Sequence, residues 1–187
     1  MTGTQEGVRV GVVLPRPQGD PGEWLSEAVA FEAAGADALW LDHGATPPLD
    51  PLTLTAALAA VTYRSLLVAA VPGVVASQAL ATVERLSKGR LALIADPAGD
   101  AAEALTADDG GTPIVVRLAD GAYEETGAGR WAPAAVPLGR AAWRETLRLA
   151  AERGDHGVLV PADPRLLDLL RNPEDPGGRQ DLQLAQG

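Results

Sequence analysis

Two adjacent side chains, Asp42 and His43, are the strongest chemical signal in the sequence. They directly follow Ala38–Leu41, a short apolar run that predicts a buried strand. Where parallel strands end, the residues just beyond them line the edge at which α/β proteins build their sites. A histidine there can transfer protons near neutral pH, because its unperturbed pKa is about 6.5. The pair predicts a proton-transfer site; the alternative is a loop histidine that hydrogen-bonds a backbone carbonyl.

The remaining acidic and histidine residues predict no metal site. His156 precedes a predicted strand, so it belongs to the opposite edge from Asp42 and His43. The Asp-Pro pairs at Asp20, Asp50, Asp96 and Asp163 favour helix starts rather than a carboxylate cluster. The chain has no cysteine, which excludes thiolate ligands and disulfides.

The composition limits the classes of molecule that the protein is expected to bind. The net charge of -10 argues against binding to phosphate backbones, so no nucleic-acid partner is expected. The N-terminus lacks the pattern of a signal peptide, and the apolar runs are too short to cross a bilayer. We therefore expect a cytoplasmic protein with a small-molecule partner and no membrane partner.

Strand and helix patterns alternate along the chain, which is typical of parallel strands joined by crossover helices. Predicted strands cover 8–14, 38–41, 66–71, 91–95, 114–118 and 158–160. Predicted helices cover about 21–34, 50–63, 77–86, a short stretch ending near 106, 140–153 and 165–171. The pattern fits an open doubly wound sheet, or a barrel that has lost units, because an eightfold ring usually needs about 200 residues or more.

The alternation of strand and helix patterns stops between Gly121 and Arg140. This stretch predicts either a hairpin around Gly127-Ala128-Gly129 or a loop crossing the barrel mouth, so the strand count stays open between six and eight. Trp131, beside Arg130 in this segment, is a candidate for covering a ligand, with core packing as the alternative. We expect one domain over residues 1–171 and a flexible polar tail over 172–187.

Several segments resemble luciferase-like flavin oxidoreductases of the bacterial luciferase superfamily. The opening Val10-Gly-Val-Val-Leu-Pro15 is similar to the start of that family, and Phe31-Glu-Ala-Ala-Gly-Ala-Asp-Ala-Leu-Trp-Leu-Asp-His43 to its second unit. Asp50-Pro-Leu-Thr53 and Asp155-His-Gly-Val-Leu-Val-Pro161 resemble later pieces. The closest similarity is in Ala81-Thr-Val-Glu-Arg-Leu-Ser-Lys-Gly-Arg-Leu91, a turn into the fourth strand.

The resemblance implies a shortened TIM-type barrel that binds FMN or a deazaflavin at the C-terminal ends of its strands. It implies an oxidoreductase or monooxygenase acting on a small organic substrate, with Asp42 and His43 as catalytic residues. Ala69, Ala70 and Asp96 stand at the ends of the third and fourth strands, where the family contacts its cofactor. A homodimer, or a heterodimer with a paralogue, is also implied.

The chain departs from the family pattern in ways that favour a second interpretation. Ala69-Ala70 replaces a common Gly-Thr pair, Asp96 replaces a Gly-rich turn, and the long insertion after the fourth strand is missing. A carboxylate at the mouth repels a phosphorylated cofactor. The alternative is a non-catalytic flavin-binding or structural subunit, with Ala-rich second and third helices as its dimer surface.

Overall fold

The computed structural model describes residues 7–42, 49–70, 77–95 and 112–172. These residues form eight strands and five helices. The strands are β1 (Arg9–Val13), β2 (Ala38–Leu41), β3 (Leu66–Ala70), β4 (Leu91–Ala95), β5 (Ile114–Arg117), β6 (Tyr123–Glu125), β7 (Gly129–Pro133) and β8 (Gly157–Pro161). The helices are α1 (Pro21–Ala34), α2 (Pro51–Val61), α3 (Ser77–Ser87), α4 (Arg140–Arg153) and α5 (Pro164–Arg171).

The eight strands close into a barrel in chain order. Closure is made by β1 and β8, which pair in parallel from Arg9 opposite Gly157 to Val13 opposite Pro161. This pairing confirms the predicted TIM-type α/β barrel and excludes the open doubly wound sheet. It also fixes the strand number at eight, which the sequence had left open.

The irregular segment after β5 completes the ring without helices. β6 is antiparallel to both β5 and β7, whereas every other neighbouring pair is parallel. Short turns at 118–122 and 126–128 replace crossover helices. Gly127, in the second turn, and Gly129, the first residue of β7, take positive φ values. Of the two predicted forms, the hairpin is the correct one. Since a hairpin turn needs far fewer residues than a helical crossover, the ring closes within a short chain.

Helix boundaries follow the predicted capping signals. Asp20, Asp50 and Asp163 accept hydrogen bonds from backbone N–H groups in the first turns of α1, α2 and α5. Gly35 and Gly154 end α1 and α4 in the left-handed conformation. Asp96, the fourth of these aspartates, lies outside the described residues, as does the short helix predicted to end near residue 106.

Two apolar layers lie on the two faces of the barrel wall. The outer layer packs alternate strand residues, such as Val12 and Leu39, against Trp24 and Phe31 of α1 and Trp143 of α4. The inner layer fills the lumen with the other set of strand residues. Its members are Ala38, Trp40, Val68, Ala92, Ile94, Val115, Tyr123, Trp131 and Leu159. The lumen is therefore a packed core rather than a pore.

A buried carboxylate joins three elements at the N-terminal end of the barrel. Glu32 of α1 accepts hydrogen bonds from the backbone N–H groups of Tyr63, Arg64 and Ser65, in the turn between α2 and β3. Arg90, just before β4, donates to the carbonyl oxygen of Ser65 at 2.8 Å. Arg90 also donates to the hydroxyl and carbonyl oxygens of Thr62, at the start of the same turn.

Candidate functional site at the barrel mouth

Asp42 lies at the C-terminal end of the barrel, one residue beyond β2, and its side chain is only 10% exposed. Its Oδ2 atom is 2.7 Å from a guanidinium nitrogen of Arg117. The same oxygen accepts a short hydrogen bond from the hydroxyl of Tyr123. Together Asp42, Arg117 and Tyr123 form a connected cluster, which we call the mouth triad.

The hairpin positions the two partners of Asp42. Arg117 is the last residue of β5 and Tyr123 is the first of β6, and the two face each other across the antiparallel pair. The Arg117 guanidinium carbon lies 5.4 Å from the centre of the Tyr123 ring, a cation–π contact. A second guanidinium nitrogen donates to the Tyr123 hydroxyl oxygen at 3.3 Å. Neither residue was predicted as part of the site, although the apolar–polar alternation around the Gly127 turn was an available signal for the hairpin that carries them.

The mouth triad combines three chemical capacities at one point. Arg117 supplies a permanent positive charge with several N–H donors, Tyr123 can both donate and accept, and Asp42 accepts. Hydrogen bonds that involve an ionised group are roughly twice as strong as neutral ones, so the cluster holds the three side chains in fixed positions. Such a set can bind an anionic or carbonyl oxygen and can move a proton along a preformed hydrogen bond.

Four of the five remaining predicted site residues lie in different environments or outside the described residues. His43 and Asp96 lie outside the described residues, so their catalytic and cofactor roles stay predictions. Ala70 faces the lumen, where it packs on the inner layer. Ala69 is fully buried and, by the alternation of the strand, faces the helices rather than the lumen. Of the two alanines, only Ala70 faces the lumen.

Trp131 lies inside the lumen and has no exposed surface. Its indole N–H donates to Glu125 at 2.7 Å, and its ring packs edge-on against Trp40 and His156. It lies opposite Gly157, the first residue of β8, on one side and opposite Tyr123, the first residue of β6, on the other. This placement favours the packing interpretation over direct cover of a ligand at the mouth.

The described residues also limit other kinds of site. Among them, no three His, Asp or Glu side chains are grouped so as to hold a metal ion. The same part of the chain contains no helix that is both long and apolar enough to cross a bilayer.

Comparison with known protein families decides what the barrel is. The model of luciferase-like monooxygenases matches residues 7–110, which is more than half of the chain. The chain belongs to the luciferase-like monooxygenase family. The match covers β1 to β4 of this luciferase-like barrel, whereas Arg117 and Tyr123 lie beyond it. No curated protein matches the chain.

Luciferase-like proteins generally bind a flavin or deazaflavin, and the mouth of this barrel has donors that suit such a group. Rings of Trp40, Tyr123 and Trp131 fill the lumen, so a planar cofactor must lie above them rather than inside the barrel. Arg117 offers N–H donors to ring carbonyl or phosphate oxygens, and Ala70, at the end of β3, has a small side chain that takes little space. The residues of the mouth therefore fit a flavin-type group.

Proposed function

We propose that this luciferase-like chain is a flavin- or deazaflavin-dependent oxidoreductase that acts on a small organic substrate at the barrel mouth. The observation that carries the proposal is the mouth triad, in which Asp42, at the end of β2, is held by Arg117 and Tyr123. A positioned carboxylate, phenol and cation at the C-terminal face of a barrel support a reaction site.

Each residue of the mouth has a stated role in this proposal. Arg117 binds an oxygen of the cofactor or substrate, and Ala70 and Asp96 flank the cofactor. Asp42 and His43 hold and transfer the proton that accompanies the reaction, and Tyr123 fixes the orientation of Asp42. When bound, the flavin-type group supplies the hydride or oxygen chemistry that side chains cannot. Because the lumen is filled, water is excluded from below the reacting atoms.

The cofactor part of the proposal is tested by an absorbance and fluorescence titration with FMN and, separately, with a deazaflavin. We expect saturable binding of one of them to the unaltered chain. Arg117→Ala should weaken that binding, because it removes the cation of the mouth. Arg117→Lys should restore part of it, since the charge returns without the planar fork of donors.

The chain offers a matched control for this test in Arg130→Ala. Arg130 lies on β7 of the same hairpin, is 39% exposed against 37% for Arg117, and is also paired with an aspartate, Asp120. By the alternation of β7 it lies on the outer face, because Trp131 points into the lumen. Equal losses for the two arginines would contradict a cofactor site at the mouth, and no binding of either cofactor would overturn the flavin assignment.

The catalytic part is tested by turnover of the cofactor-loaded protein with a panel of small carbonyl and alcohol substrates. We expect His43→Ala and Asp42→Asn each to lower kcat strongly while circular dichroism stays unchanged. If both variants turn over like the unaltered protein, neither residue transfers the proton. The test separates the two steps, because cofactor binding is measured before turnover.

A second candidate function is a non-catalytic flavin-binding or structural subunit. The specific observation in its favour is that the Asp42 carboxylate is already occupied by Arg117 and Tyr123, so a substrate must compete for it. This candidate predicts that the cofactor binds without turnover. In this candidate the functional unit is a homodimer, or a heterodimer with a full-length paralogue, that forms through α2 and α3. Sedimentation at several concentrations measures that assembly, and Ala60→Arg, on the exposed face of α2, should weaken it.

A further inference from the structure

An apolar groove lies on the outer surface of the protein, between the start of α4 and the helix α5. Its volume is about 430 Å³. Pro137 and Leu169 are buried in its lining, whereas Leu138 and Pro164 are exposed at its edge. The lining is completed by Gly139, Arg140, Arg165 and Asp168. Because α4 and α5 follow β7 and β8 along the chain, this α4–α5 groove lies at the mouth end of the barrel.

Leu138 projects from the edge of the α4–α5 groove. It is 89% exposed, more than any other large apolar residue in the described part of the chain, the next being Tyr63 at 72%. The residues on either side of it are held in place. Pro137 is buried, and the carbonyl oxygen of Gly139 accepts a hydrogen bond from the backbone N–H of Trp143 at 2.9 Å. The backbone therefore presents Leu138 to solvent from a position that is anchored on both sides.

One arginine ties the two walls of the groove together. Arg140, the first residue of α4, donates to a carboxylate oxygen of Asp168 at 2.9 Å and to the backbone carbonyl oxygen of Asn172 at 3.1 Å. These acceptors belong to α5 and to its C-cap, and the Arg140 side chain is only 19% exposed. The cavity is therefore formed before a partner arrives, which lowers the entropic cost of filling it.

A projecting leucine and an apolar cavity lie side by side on this face. In a two-fold symmetric contact, the side chain that one copy inserts is received by the same surface of the other copy. Such a surface must carry both the projection and the cavity, whereas a partner of another structure requires only one of them. The presence of both parts on one face favours a second copy of this chain as the partner.

The charges around the groove also favour a second copy. They are balanced in two ion pairs, Arg140 with Asp168 and Arg165 with Asp163. The chain as a whole carries a net charge of -10, so two copies repel each other except where their surfaces are locally neutral. A neutral rim with both signs of charge selects neither a strongly acidic nor a strongly basic partner, but it is compatible with its own copy.

We propose that the α4–α5 groove is a contact between two copies of this chain, in which Leu138 of each copy enters the groove of the other. The hydrophobic effect drives the contact, because it removes two exposed leucine side chains and two apolar cavities from water. This contact uses α4 and α5, whereas the assembly considered above uses α2 and α3. The inference therefore goes beyond the proposed function and does not rest on it.

Sedimentation of the unaltered chain over a range of concentrations tests the contact. We expect a reversible equilibrium between monomer and dimer. Leu138→Arg should raise the dissociation constant by about tenfold or more, because it places a charged side chain where the cavity is apolar. Leu149→Arg is the matched control, since Leu149 is also an exposed leucine, at 40%, but lies on α4 outside the lining of the groove. This control should leave the dissociation constant unchanged.

Two results of the sedimentation experiment overturn the proposal: a chain that stays monomeric at every concentration, or an equal loss of dimer in the two variants. Since Leu138 is exposed, its replacement should leave the circular dichroism spectrum of the monomer unchanged. A loss of dimer is then not a loss of fold.

Disulfide formation between two singly substituted chains locates the contact. The chain has no cysteine, so any disulfide must join the introduced residues. We expect a chain with Leu138→Cys to form a disulfide with a chain that carries Arg165→Cys, because a disulfide needs Cα atoms within about 7 Å of each other. Leu149→Cys in place of Leu138→Cys is the control, and mass spectrometry identifies the linked pair. Equal yields from the two mixtures contradict the contact.

Two other arrangements give different results. If the copies met through α2 and α3 instead, Ala60→Arg would dissociate the dimer and Leu138→Arg would not, which overturns the proposal. If the rest of the same chain filled the groove, only a chain that ends at Asn172 would dimerise through it. We expect equal dimerisation of the shortened and full chains. All of these measurements use the chain without cofactor or substrate, so their outcome is separate from that of the flavin titration.

Discussion

At the scale of single residues, the lumen depends on positions where no side chain exists. Gly11 and Gly157 leave room for the rings of Trp40 and Trp131, which pack edge-on against each other in the lumen. An indole ring is rigid, so it cannot yield to an added methyl group in the way that a flexible side chain can. Large and small residues are therefore matched around the lumen, as close packing requires.

Gly157→Ala should destabilise the fold, because its Cβ atom would overlap the Trp131 ring. Overpacking of this kind typically costs about 1–3 kcal/mol. The free energy of unfolding in urea, followed by tryptophan fluorescence, measures the effect. Gly7→Ala is the control, since a Cβ atom at Gly7 meets nothing within 4 Å. Equal stability of the two variants would show that the lumen relaxes around the ring.

At the scale of elements, Glu32 links α1 to the turn between α2 and β3. Burial raises the pKa of Glu32, but the hydrogen bonds from the backbone N–H groups of Ser65, Arg64 and Tyr63 outweigh it and leave the pKa below its ordinary value of 4.5. The charged form is thus the one that the fold stabilises. Arg90 strengthens the same turn from the side of β4.

The pH dependence of stability follows from the direction of that shift. A carboxyl group with a lowered folded-state pKa contributes stability that is present above its unfolded value and is lost as pH falls through the folded value. Glu32→Gln should cost about 1.5–3 kcal/mol at neutral pH, the usual worth of a hydrogen bond to a charged group. It should also flatten the loss of stability below pH 4.5.

Denaturation in urea at a series of pH values between neutral and acid measures this prediction. Glu27→Gln, on the same helix but only half-buried, serves as the control and should change the profile little. A Glu32→Gln profile parallel to that of the unaltered chain would mean that the carboxylate does not hold the turn in its charged form.

At the scale of the whole molecule, the barrel is held closed by its last strand. β8 pairs with both β1 and β7, and together with α5 it buries five apolar side chains: Val158, Leu159, Val160, Leu166 and Leu169. Full burial of such a side chain contributes about 1.5–3 kcal/mol. Their sum is comparable to the total stability of a small protein, which is about 5–15 kcal/mol.

A chain that ends at Asp155 should therefore lose cooperative unfolding, because it lacks the strand that closes the ring. A chain that ends at Asn172 keeps β8 and α5 and should unfold as cooperatively as the full chain. This comparison also tests the prediction of a single domain over residues 1–171, followed by a flexible polar tail over 172–187. Urea unfolding followed by circular dichroism and by fluorescence measures both chains, and a cooperative transition in the shorter one would contradict closure by β8.

Local signals in the sequence were enough for the regular units. The Asp-Pro starts at Asp20, Asp50 and Asp163 and the glycine stops at Gly35 and Gly154 act within one turn of the helix, so they can be read without knowing the fold. The apolar strands β2 and β4 were predicted with their observed bounds, since strands buried on both faces are continuous apolar runs. The same segments carry the resemblance to the luciferase-like family.

By itself, then, the sequence determined the α/β class, most strand and helix bounds, the family and the place of Asp42 beyond β2. Only the tertiary structure decided that the ring closes with eight strands, that a hairpin supplies Arg117 and Tyr123 to the mouth, and that Trp131 lies in the lumen. The physical reason is the sequence separation over which each kind of interaction acts. Capping and periodicity act between residues a few positions apart, whereas the contact of Tyr123 with Asp42 joins residues 81 positions apart and exists only once the barrel has closed.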